Sequence, residues 1–226
     1  MKKRVLLILL SILSTITIAQ SHEAGVFVGG SNFIGDIGRT NYIYPNKIAG
    51  GLVYKFNINP RIAIRGNYTY LPTYGDDTKS DNSFRKTRAK SFSNSINEFA
   101  VGTEINFFDY NIGNYKTRYS PYIFTQVAIF NYKSPADIAS SNEIIHDNDF
   151  SCALPFGLGI KGLLFDNFAF AFEIGVRYTF ADDIDYTTTK INRLNFGGNG
   201  NDLYTFTGLS VVYTFGKPHC YSGLIK

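Results

Sequence analysis

The sequence predicts an all-β protein, an eight-stranded antiparallel transmembrane β-barrel preceded by a cleavable signal peptide. Three observations lead to this fold class: apolar and polar residues alternate over several segments, long and short connections alternate between them, and many rings accompany few charges. The chain has 20 Phe, 16 Tyr and 21 Gly, whereas charged residues make up 18%. After the leader no apolar run is long enough for a membrane helix, but a barrel strand needs only about 10 alternating residues.

The N-terminus has the three-part form of an export signal. Residues 1–4 are basic, residues 5–18 are almost wholly apolar, and small residues up to Ala19 offer a site to a signal peptidase. We therefore expect a signal peptide, residues 1–19, followed by one domain, residues 20–226, which comprises the barrel and a short periplasmic C-terminal tail.

The charge of the processed chain argues against one class of partner. Lys2, Lys3 and Arg4 supply three of the formal charges in the net +4, so removing the leader leaves +1. A nearly neutral chain lacks the basic surface that nucleic acid requires, and we predict no nucleic-acid partner. The two cysteines, Cys152 and Cys220, fall at opposite membrane faces in the predicted topology, so we expect unpaired thiols.

The clearest predicted strand is the segment 168–180. Its even-numbered positions are apolar or aromatic from Phe168 to Phe180, whereas the odd-numbered positions are small or charged, as at Glu173 and Arg177. Because successive side chains of a strand point to opposite faces, this pattern requires an apolar medium on one side and a polar one on the other.

Seven further segments complete the predicted barrel. The same two-residue period predicts strands at 48–58, 62–70, 99–107 and 154–161, and weaker alternation predicts strands at 22–30, 121–132 and 203–215. The facing of the first, fifth and eighth strands stays open. Eight is an even number, as bacterial single-chain barrels require.

Connection lengths support the same topology. Long connections are predicted at 33–46, 71–92, 133–151 and 181–201, and they alternate with tight turns at Asn59-Pro60 and Asp166-Asn167. Outer-membrane barrels have short periplasmic turns and longer outer loops. The connection 108–120, longer than a tight turn, departs mildly from this scheme.

A soluble lipocalin-like barrel would also have eight alternating strands, so the direction of the apolar face decides between the two. In a soluble barrel the rings of the segment 168–180 would fill the interior. Their volume is too large for an eight-stranded lumen, but it suits a lipid-facing surface with aromatic girdles. We therefore favour the membrane barrel.

The residues opposite the apolar positions predict a charged lumen. Charges of both signs inside a narrow barrel should pair, and the interior of eight strands is just filled by side chains, so we expect a closed lumen. The predicted lumen charge network consists of Lys55, Arg65, Glu98, Glu104, Lys161, Glu173 and Arg177.

Motifs that could carry chemistry are weak, and we predict no catalytic, cofactor or metal site. Residues 157–162 match a dinucleotide fingerprint, but that motif needs a following helix, whereas here a strand pattern continues. The histidines His22, His146 and His219 are too far apart in the predicted topology to share a ligand. No Ser and His lie together on one strand face.

Four segments carry a resemblance to a known family. They are residues 22–38, 118–124, 155–161 and 213–217. Together they resemble the PorG-like outer-membrane barrels of Bacteroidota, and the resemblance covers nearly the whole chain. Its most specific part is the motif Gly30, Ser31, Asn32, Gly35 and Asp36, for which the residue types predict a hydrogen-bonded turn leaving the first strand on the outer side.

The resemblance implies a non-catalytic component of a type IX protein secretion system, associated at the periplasmic face with the ring of the PorK lipoprotein and PorN. Outer-membrane lipids would be the other partners. A generic small OmpA-type barrel acting as an anchor or adhesin is the alternative, and a lipid-modifying enzyme or small pore is a third reading. The expected ring contacts are the tail 217–226 and, in the connection 108–120, Asp109, Tyr110, Tyr115, Lys116 and Arg118.

Overall fold

A computed structural model describes residues 21–110, 119–139, 143–165, 167–196 and 200–216. In these residues eight antiparallel strands form a closed barrel, which confirms the predicted all-β barrel class. The predicted signal peptide lies outside the described residues. The strands are β1 (Ser21–Ile34), β2 (Lys47–Asn57), β3 (Ile62–Asp76), β4 (Ser91–Asn106), β5 (Tyr119–Ile138), β6 (Ile144–Phe165), β7 (Phe168–Thr179) and β8 (Leu203–Phe215).

The barrel closes where the first strand pairs with the last. His22 lies opposite Phe215 and Ile34 lies opposite Leu203, so β1 and β8 pair along their whole lengths. One end of the barrel, which we call the turn end, holds the start of β1, the end of β8 and the connections after β2, β4 and β6. We call the opposite end the loop end. In outer-membrane barrels the end with short connections is periplasmic.

Two hairpins extend further at the loop end than the sequence predicts. β3 runs on to Asp76 and β4 begins at Ser91, so the predicted loop 71–92 shortens to residues 77–90. β5 and β6 pair up to Ile138 and Ile144, so most of the predicted loop 133–151 is a two-stranded ribbon. Among the described residues, no other strand covers either face of that ribbon. The alternation of apolar and polar residues that marks the strands nearer the turn end is therefore weak there.

The connection between β3 and β4 contains short helical segments. A 3-10 turn spans Asp77–Lys79, and helix α1 spans Ser83–Arg88. The Asn82 side chain caps α1 by accepting a hydrogen bond from the Phe84 amide at 2.8 Å, and Ala89 ends it in the left-handed region, with a φ of 50°. Another 3-10 turn, Asn192–Leu194, lies between β7 and β8. Within the described residues no helix has the length and apolar character needed to cross a membrane.

The β2–β3 turn is built around Asn59. β2 ends at Asn57 and β3 begins at Ile62, so the turn has two more residues than the predicted Asn59-Pro60 pair. The Asn59 carboxamide oxygen accepts hydrogen bonds from the amides of Arg61 and Ile62, each at 2.8 Å. This side-chain bond to the following backbone is the reason asparagine favours such turns.

The structure also gives the facing of the strands whose orientation the sequence leaves open. In β1, Phe27 is buried while Val26 and Val28 are exposed. In β5 and β8 the inward positions include Tyr122 and Tyr204, both buried. These strands therefore send aromatic side chains into the lumen, where the sequence predicts mainly charges.

Candidate functional site

The outer face of the barrel is apolar on every strand. Large apolar side chains alternate there with buried ones, as the two-residue period of a strand requires. Each strand exposes at least one such side chain, and the examples that follow are between 40% and 63% exposed. In order from β1 to β8 they are Val28, Leu52, Ile64, Phe99, Val127, Leu158, Phe172 and Leu209. A continuous surface of this kind is unfavourable in water and suits acyl chains.

Aromatic residues mark both ends of this apolar surface. At the turn end Tyr119, Phe168 and Phe215 are exposed, and at the loop end Tyr178 and Phe180 are exposed. Rings at these two levels form the girdles that position a barrel at the two membrane interfaces. Because the barrel is closed, the backbone groups of its strands pair within the sheet, which crossing a bilayer demands.

The lumen holds a network of buried ion pairs. The structure places all seven side chains of the predicted lumen charge network inside the barrel, each at most 4% exposed. Five ion pairs join them: Lys55–Glu104, Arg65–Glu104, Lys161–Glu104, Arg65–Glu173 and Arg177–Glu98.

Glu104 is the centre of the larger group. Its Oε2 lies 2.8 Å from Lys55 Nζ and 3.4 Å from Arg65 Nη1, and its Oε1 accepts a hydrogen bond from Lys161 Nζ at 2.6 Å. The sheet brings these groups together because Lys55 and Arg65 are register partners across β2 and β3, while Glu104 lies opposite Ala63 on the next strand. One carboxylate thus faces three buried cations.

A smaller group lies nearer the loop end. Arg177 and Tyr204 are register partners across β7 and β8. The Tyr204 hydroxyl donates to Glu98 Oε2 at 2.7 Å, and Arg177 Nε lies 3.6 Å from the same oxygen. The two groups fill the lumen at different depths.

The sequence analysis missed two members of the network. Glu23 is fully buried and its Oε1 accepts a hydrogen bond from Asn57 Nδ2 at 2.8 Å. The Tyr122 hydroxyl donates to Glu173 Oε2 at 3.0 Å. The alternation of β1 contains the signal for Glu23, because Val26 and Val28 point outward and odd-numbered positions must then point inward. With Glu23 included, the four basic side chains of the network face four acidic ones.

The rings of the segment 168–180 face outward, as predicted, but rings from other strands occupy the lumen. The Arg65 guanidinium lies over the Phe124 ring at 4.4 Å and the Lys161 ammonium lies 5.6 Å from the centre of the Tyr122 ring. Glycines make the room: a Cβ on Gly159 would lie 2.5 Å from Cζ of Tyr122, and one on Gly157 would lie 2.7 Å from Cζ of Phe124. These two glycines therefore leave space for rings in a crowded lumen.

The loop end is covered by an outer cap, which we define as residues 35–46, 77–90 and 180–202 where the structure describes them. Asp185 Oδ2 accepts hydrogen bonds from the amides of Asp36 and Ile37, both at 3.0 Å. Asp77 accepts from the Gly38 amide at 2.8 Å and from Arg88 Nε at 2.7 Å. Buried carboxylates therefore tie the three connections to one another above the lumen.

Among the carboxyl groups of the cap, two buried ones, Asp202 and Asp185, have raised pKa values. Burial raises the pKa of Asp202 well above its ordinary value, and the negative charge of nearby Asp185 adds to the shift. Burial also raises the pKa of Asp185, although hydrogen bonds from Thr187 and Ile37 oppose the change. Protonation of either group therefore favours the closed cap.

The family motif divides between strand and cap. Gly30, Ser31 and Asn32 remain in β1, which corrects the prediction that a turn begins with them, because the strand continues to pair with β8 as far as Ile34. The Ser31 hydroxyl donates to the Pro72 carbonyl of β3, and Asn32 Nδ2 donates to the Asn41 carbonyl at 2.6 Å.

The last two motif positions belong to the cap. A Cβ on Gly35 would lie 2.3 Å from Asp202 Oδ1, so glycine is needed for close packing there. The Asp36 amide donates to Asp185. The motif thus joins the loop end of β1 to the cap.

At the turn end, one of the expected partner contacts needs correction. Tyr110 is 5% exposed and the Lys161 ammonium lies 4.3 Å from the centre of its ring, so it closes the bottom of the lumen and is not available to a partner. Asp109 is exposed and pairs with Arg61 at 2.5 Å. Tyr115, Lys116, Arg118 and the tail 217–226 lie outside the described residues.

Other chemistry-bearing side chains are scattered. His22 lies at the turn end of β1, His146 lies in the ribbon near the loop end, and Cys152 is an exposed, free thiol on β6. His219 and Cys220 lie outside the described residues. In the described ranges no three His, Cys, Asp or Glu side chains form a group that could hold a metal ion.

These features define the class of protein. A closed barrel with an apolar outer face, aromatic girdles and a filled polar lumen is a transmembrane β-barrel of the outer-membrane type. The chain belongs to the family described as a domain of unknown function, DUF6089, whose model matches residues 2–223.

Comparison with solved structures finds small outer-membrane barrels. The chain is similar to the N-terminal β-barrel domain of Pseudomonas aeruginosa OprF, with a TM-score of 0.47 and 10% identity over 88% of this chain and 98% of that one. It is also similar to the Yersinia pestis attachment invasion locus protein Ail, with a TM-score of 0.48 and 11% identity over 88% and 100% of the two chains. Neisserial surface protein A gives 0.47 and 10% over 87% and 95%. No curated protein matches the chain.

Proposed function

We propose that this protein is a non-catalytic outer-membrane component of a type IX protein secretion system that anchors or organises the periplasmic ring of the PorK lipoprotein and PorN. The observation that favours a structural role over a pore is the filled lumen. Buried ion pairs occupy it at two depths, and the outer cap covers its loop end. Such a barrel offers a partner its surfaces and not a channel.

The resemblance of four segments to PorG-like barrels supports the assignment to that secretion system. Membership of the DUF6089 family agrees with a barrel that extends over nearly the whole chain. The apolar outer face would hold the protein in outer-membrane lipid, and a ring in the periplasm would contact the turn end.

The proposed contact surface at the turn end consists of the connection between β4 and β5 together with the C-terminal tail. Within the described residues, the exposed Asp109–Arg61 pair and the exposed rings of Phe107 and Phe108 mark where this connection leaves the barrel. Tyr115, Lys116 and Arg118 are the remaining proposed contact residues. The buried Tyr110 is not one of them.

Copurification from native membranes tests the proposal. A tagged full-length chain should retain the ring proteins, and replacing Asp109, Lys116 and Arg118 by Ala together with truncation after Lys217 should release them. A matched control replaces one acid and two bases on the exposed loop-end surface, Asp81, Lys86 and Lys190, by Ala and should retain the ring. Wild-type protein that copurifies without ring proteins, or a turn-end variant that still retains them, contradicts the proposal.

The ribbon of β5 and β6 favours a second candidate, a small anchor or adhesin-like barrel. It extends beyond the pairing of β5 with β4, which stops at Asn131, and it exposes Phe150 and Ile145. An exposed ribbon that carries such side chains at the outer end could contact another surface. Loss of surface attachment on removing residues 134–148, with the ring still copurifying from the same strain, would favour this role in addition to the first.

A further inference from the structure

A pocket lies at the loop end where one strand is shorter than its neighbours. β2 begins at Lys47, whereas β1 continues to Ile34 and β3 to Asp76. Level with the start of β2, the Ser31 hydroxyl donates a hydrogen bond to the Pro72 carbonyl, so β1 and β3 approach each other directly. Residues of the β1–β2 connection then form the outer wall of a pocket of about 400 Å³.

The pocket is rich in positive charge. Arg39, Lys47 and Lys79 line it, and Asp76 is the acidic residue among its lining groups. Asp76 lies 4.0 Å from Lys79, and in the described part of the chain Arg39 and Lys47 form no ion pair. Arg39 and Lys47 therefore lack an acidic partner at this site, although Arg39 Nε donates a hydrogen bond to the Lys79 carbonyl at 2.7 Å.

The arrangement of the two lysines points to an anionic ligand. Lys47 Nζ lies 5.1 Å and Lys79 Nζ 5.7 Å from the centre of the same ring, that of Tyr74. Both ammonium groups carry positive charge close to one ring, and an anion bound beside that ring would be attracted to both. Arg39 adds a guanidinium, whose planar donors match a phosphate group, at 4.3 Å from the centre of the Tyr44 ring.

The other lining groups suit a sugar. Phe33, Tyr44 and Tyr74 supply apolar wall, while the amides of Asn32 and Asn46 donate to backbone carbonyls and keep their oxygens as acceptors for hydroxyl groups. A pocket with apolar walls and a few placed polar groups is typical of small-molecule sites, and its volume lies in their usual range of about 300–1,000 Å³.

The position of the pocket indicates the source of the ligand. Ile48, which follows the pocket residue Lys47 in the chain, is 79% exposed on the lipid-facing side, and Ile43, which precedes the pocket residue Tyr44, is 60% exposed. The charged pocket thus borders the apolar outer face at the level of the outer membrane interface. We propose that it binds a phosphorylated sugar, as carried by the headgroup of an outer-leaflet glycolipid.

Binding measurements on the purified full-length protein test this proposal. Glucosamine 6-phosphate is titrated by calorimetry into protein in detergent, and diphosphorylated lipid A is offered in nanodiscs with native mass spectrometry as the readout. We expect replacement of Lys47 and Lys79 by Gln to weaken binding by about tenfold or more, because each lysine can supply a charge-assisted hydrogen bond. Replacement of Lys190 by Gln, an exposed lysine elsewhere at the loop end, should leave binding unchanged.

The two probes distinguish the sources of the ligand. Retention of lipid A but not of its dephosphorylated form establishes a glycolipid headgroup, and binding of the sugar phosphate alone establishes a soluble ligand of the same chemistry. Wild-type protein that binds neither probe overturns the proposal. Equal binding by wild type and the double lysine variant, or equal binding of glucosamine and its phosphate, also overturns it.

Discussion

Among single residues, Glu104 makes the contacts that are hardest to replace. It is fully buried against the side chains of Lys55, Arg65 and Lys161. Glu104→Gln keeps the shape of the side chain but leaves three buried cations without their shared carboxylate. We expect a loss of about 3–5 kcal/mol in the free energy of unfolding, because breaking a buried ion pair leaves uncompensated charge.

Urea unfolding of the barrel in lipid vesicles, followed by tyrosine fluorescence, measures this loss. Glu143→Gln is the matched control, since Glu143 is exposed between β5 and β6, and it should change stability by less than about 0.5 kcal/mol. A Glu104→Gln barrel as stable as the control would show that the three cations are satisfied without the carboxylate.

Which lumen residues the sequence reveals depends on the neighbours of each residue. Glu98, Glu104 and Glu173 alternate with apolar residues that face lipid, so their inward direction follows from the period alone. Glu23 lies in a strand where Val26, Phe27 and Val28 are all apolar, so alternation gives its direction only once the outward facing of Val26 and Val28 is known. Tyr110 lies beyond the end of β4, where no strand period exists, and only the fold shows that it turns back under Lys161.

Among structural elements, the outer cap should open more readily as pH rises. Burial raises the pKa of Asp202, so the closed cap binds a proton more tightly than the open one. Its stability is therefore greatest below the ordinary Asp pKa of about 3.9 and is lost as pH rises through the raised value. Hydrogen exchange of the Ile184 amide, which donates to Asp202 at 3.0 Å, measures this opening after correction for intrinsic exchange.

Asp202→Asn separates charge from hydrogen bonding. The amide keeps an oxygen acceptor for Ile184 but cannot ionise, so the variant should be better protected at pH 7 and should respond less to pH. Asp147→Asn in the exposed ribbon should behave as wild type. Identical protection of wild type and Asp202→Asn between pH 4 and pH 8 would show that the buried carboxyl does not control the cap.

The limits of sequence-based prediction are clearest for whole elements at the loop end. Strand positions that face lipid and lumen carry a strong period, and β7 and β8 lie within one residue of their predicted bounds. The loop-end parts of β3 to β6 extend beyond the apolar outer face. Backbone hydrogen bonds hold these parts together, so their residues carry no hydrophobic period. The cap depends on contacts distant in sequence, such as that between Asp36 and Asp185, which no local pattern encodes.

At the scale of the whole molecule, the structure is a membrane barrel that is closed in two places. The outer cap closes its loop end, and the lumen side chains fill its interior. Charged side chains can fill the lumen because their charges balance. Four basic and four acidic side chains neutralise one another inside a sheet whose outer face is apolar. Because an eight-stranded interior is just filled by side chains, closure does not depend on the cap.

Planar-bilayer recordings test this order of closure. We expect no conductance steps from wild-type protein, and none after residues 77–90 are replaced by a short Gly-Ser connection, because the side chains around Glu104 still fill the lumen. Adding alanine substitutions at both depths of the lumen to that variant, at Arg65, Glu104, Lys161, Glu98, Arg177 and Tyr204, removes most of the filling and should produce small steps, provided that the heat-modifiable folded band remains on gels. Steps from the cap variant alone would show that the cap is the barrier and that the ion pairs serve only to stabilise the barrel.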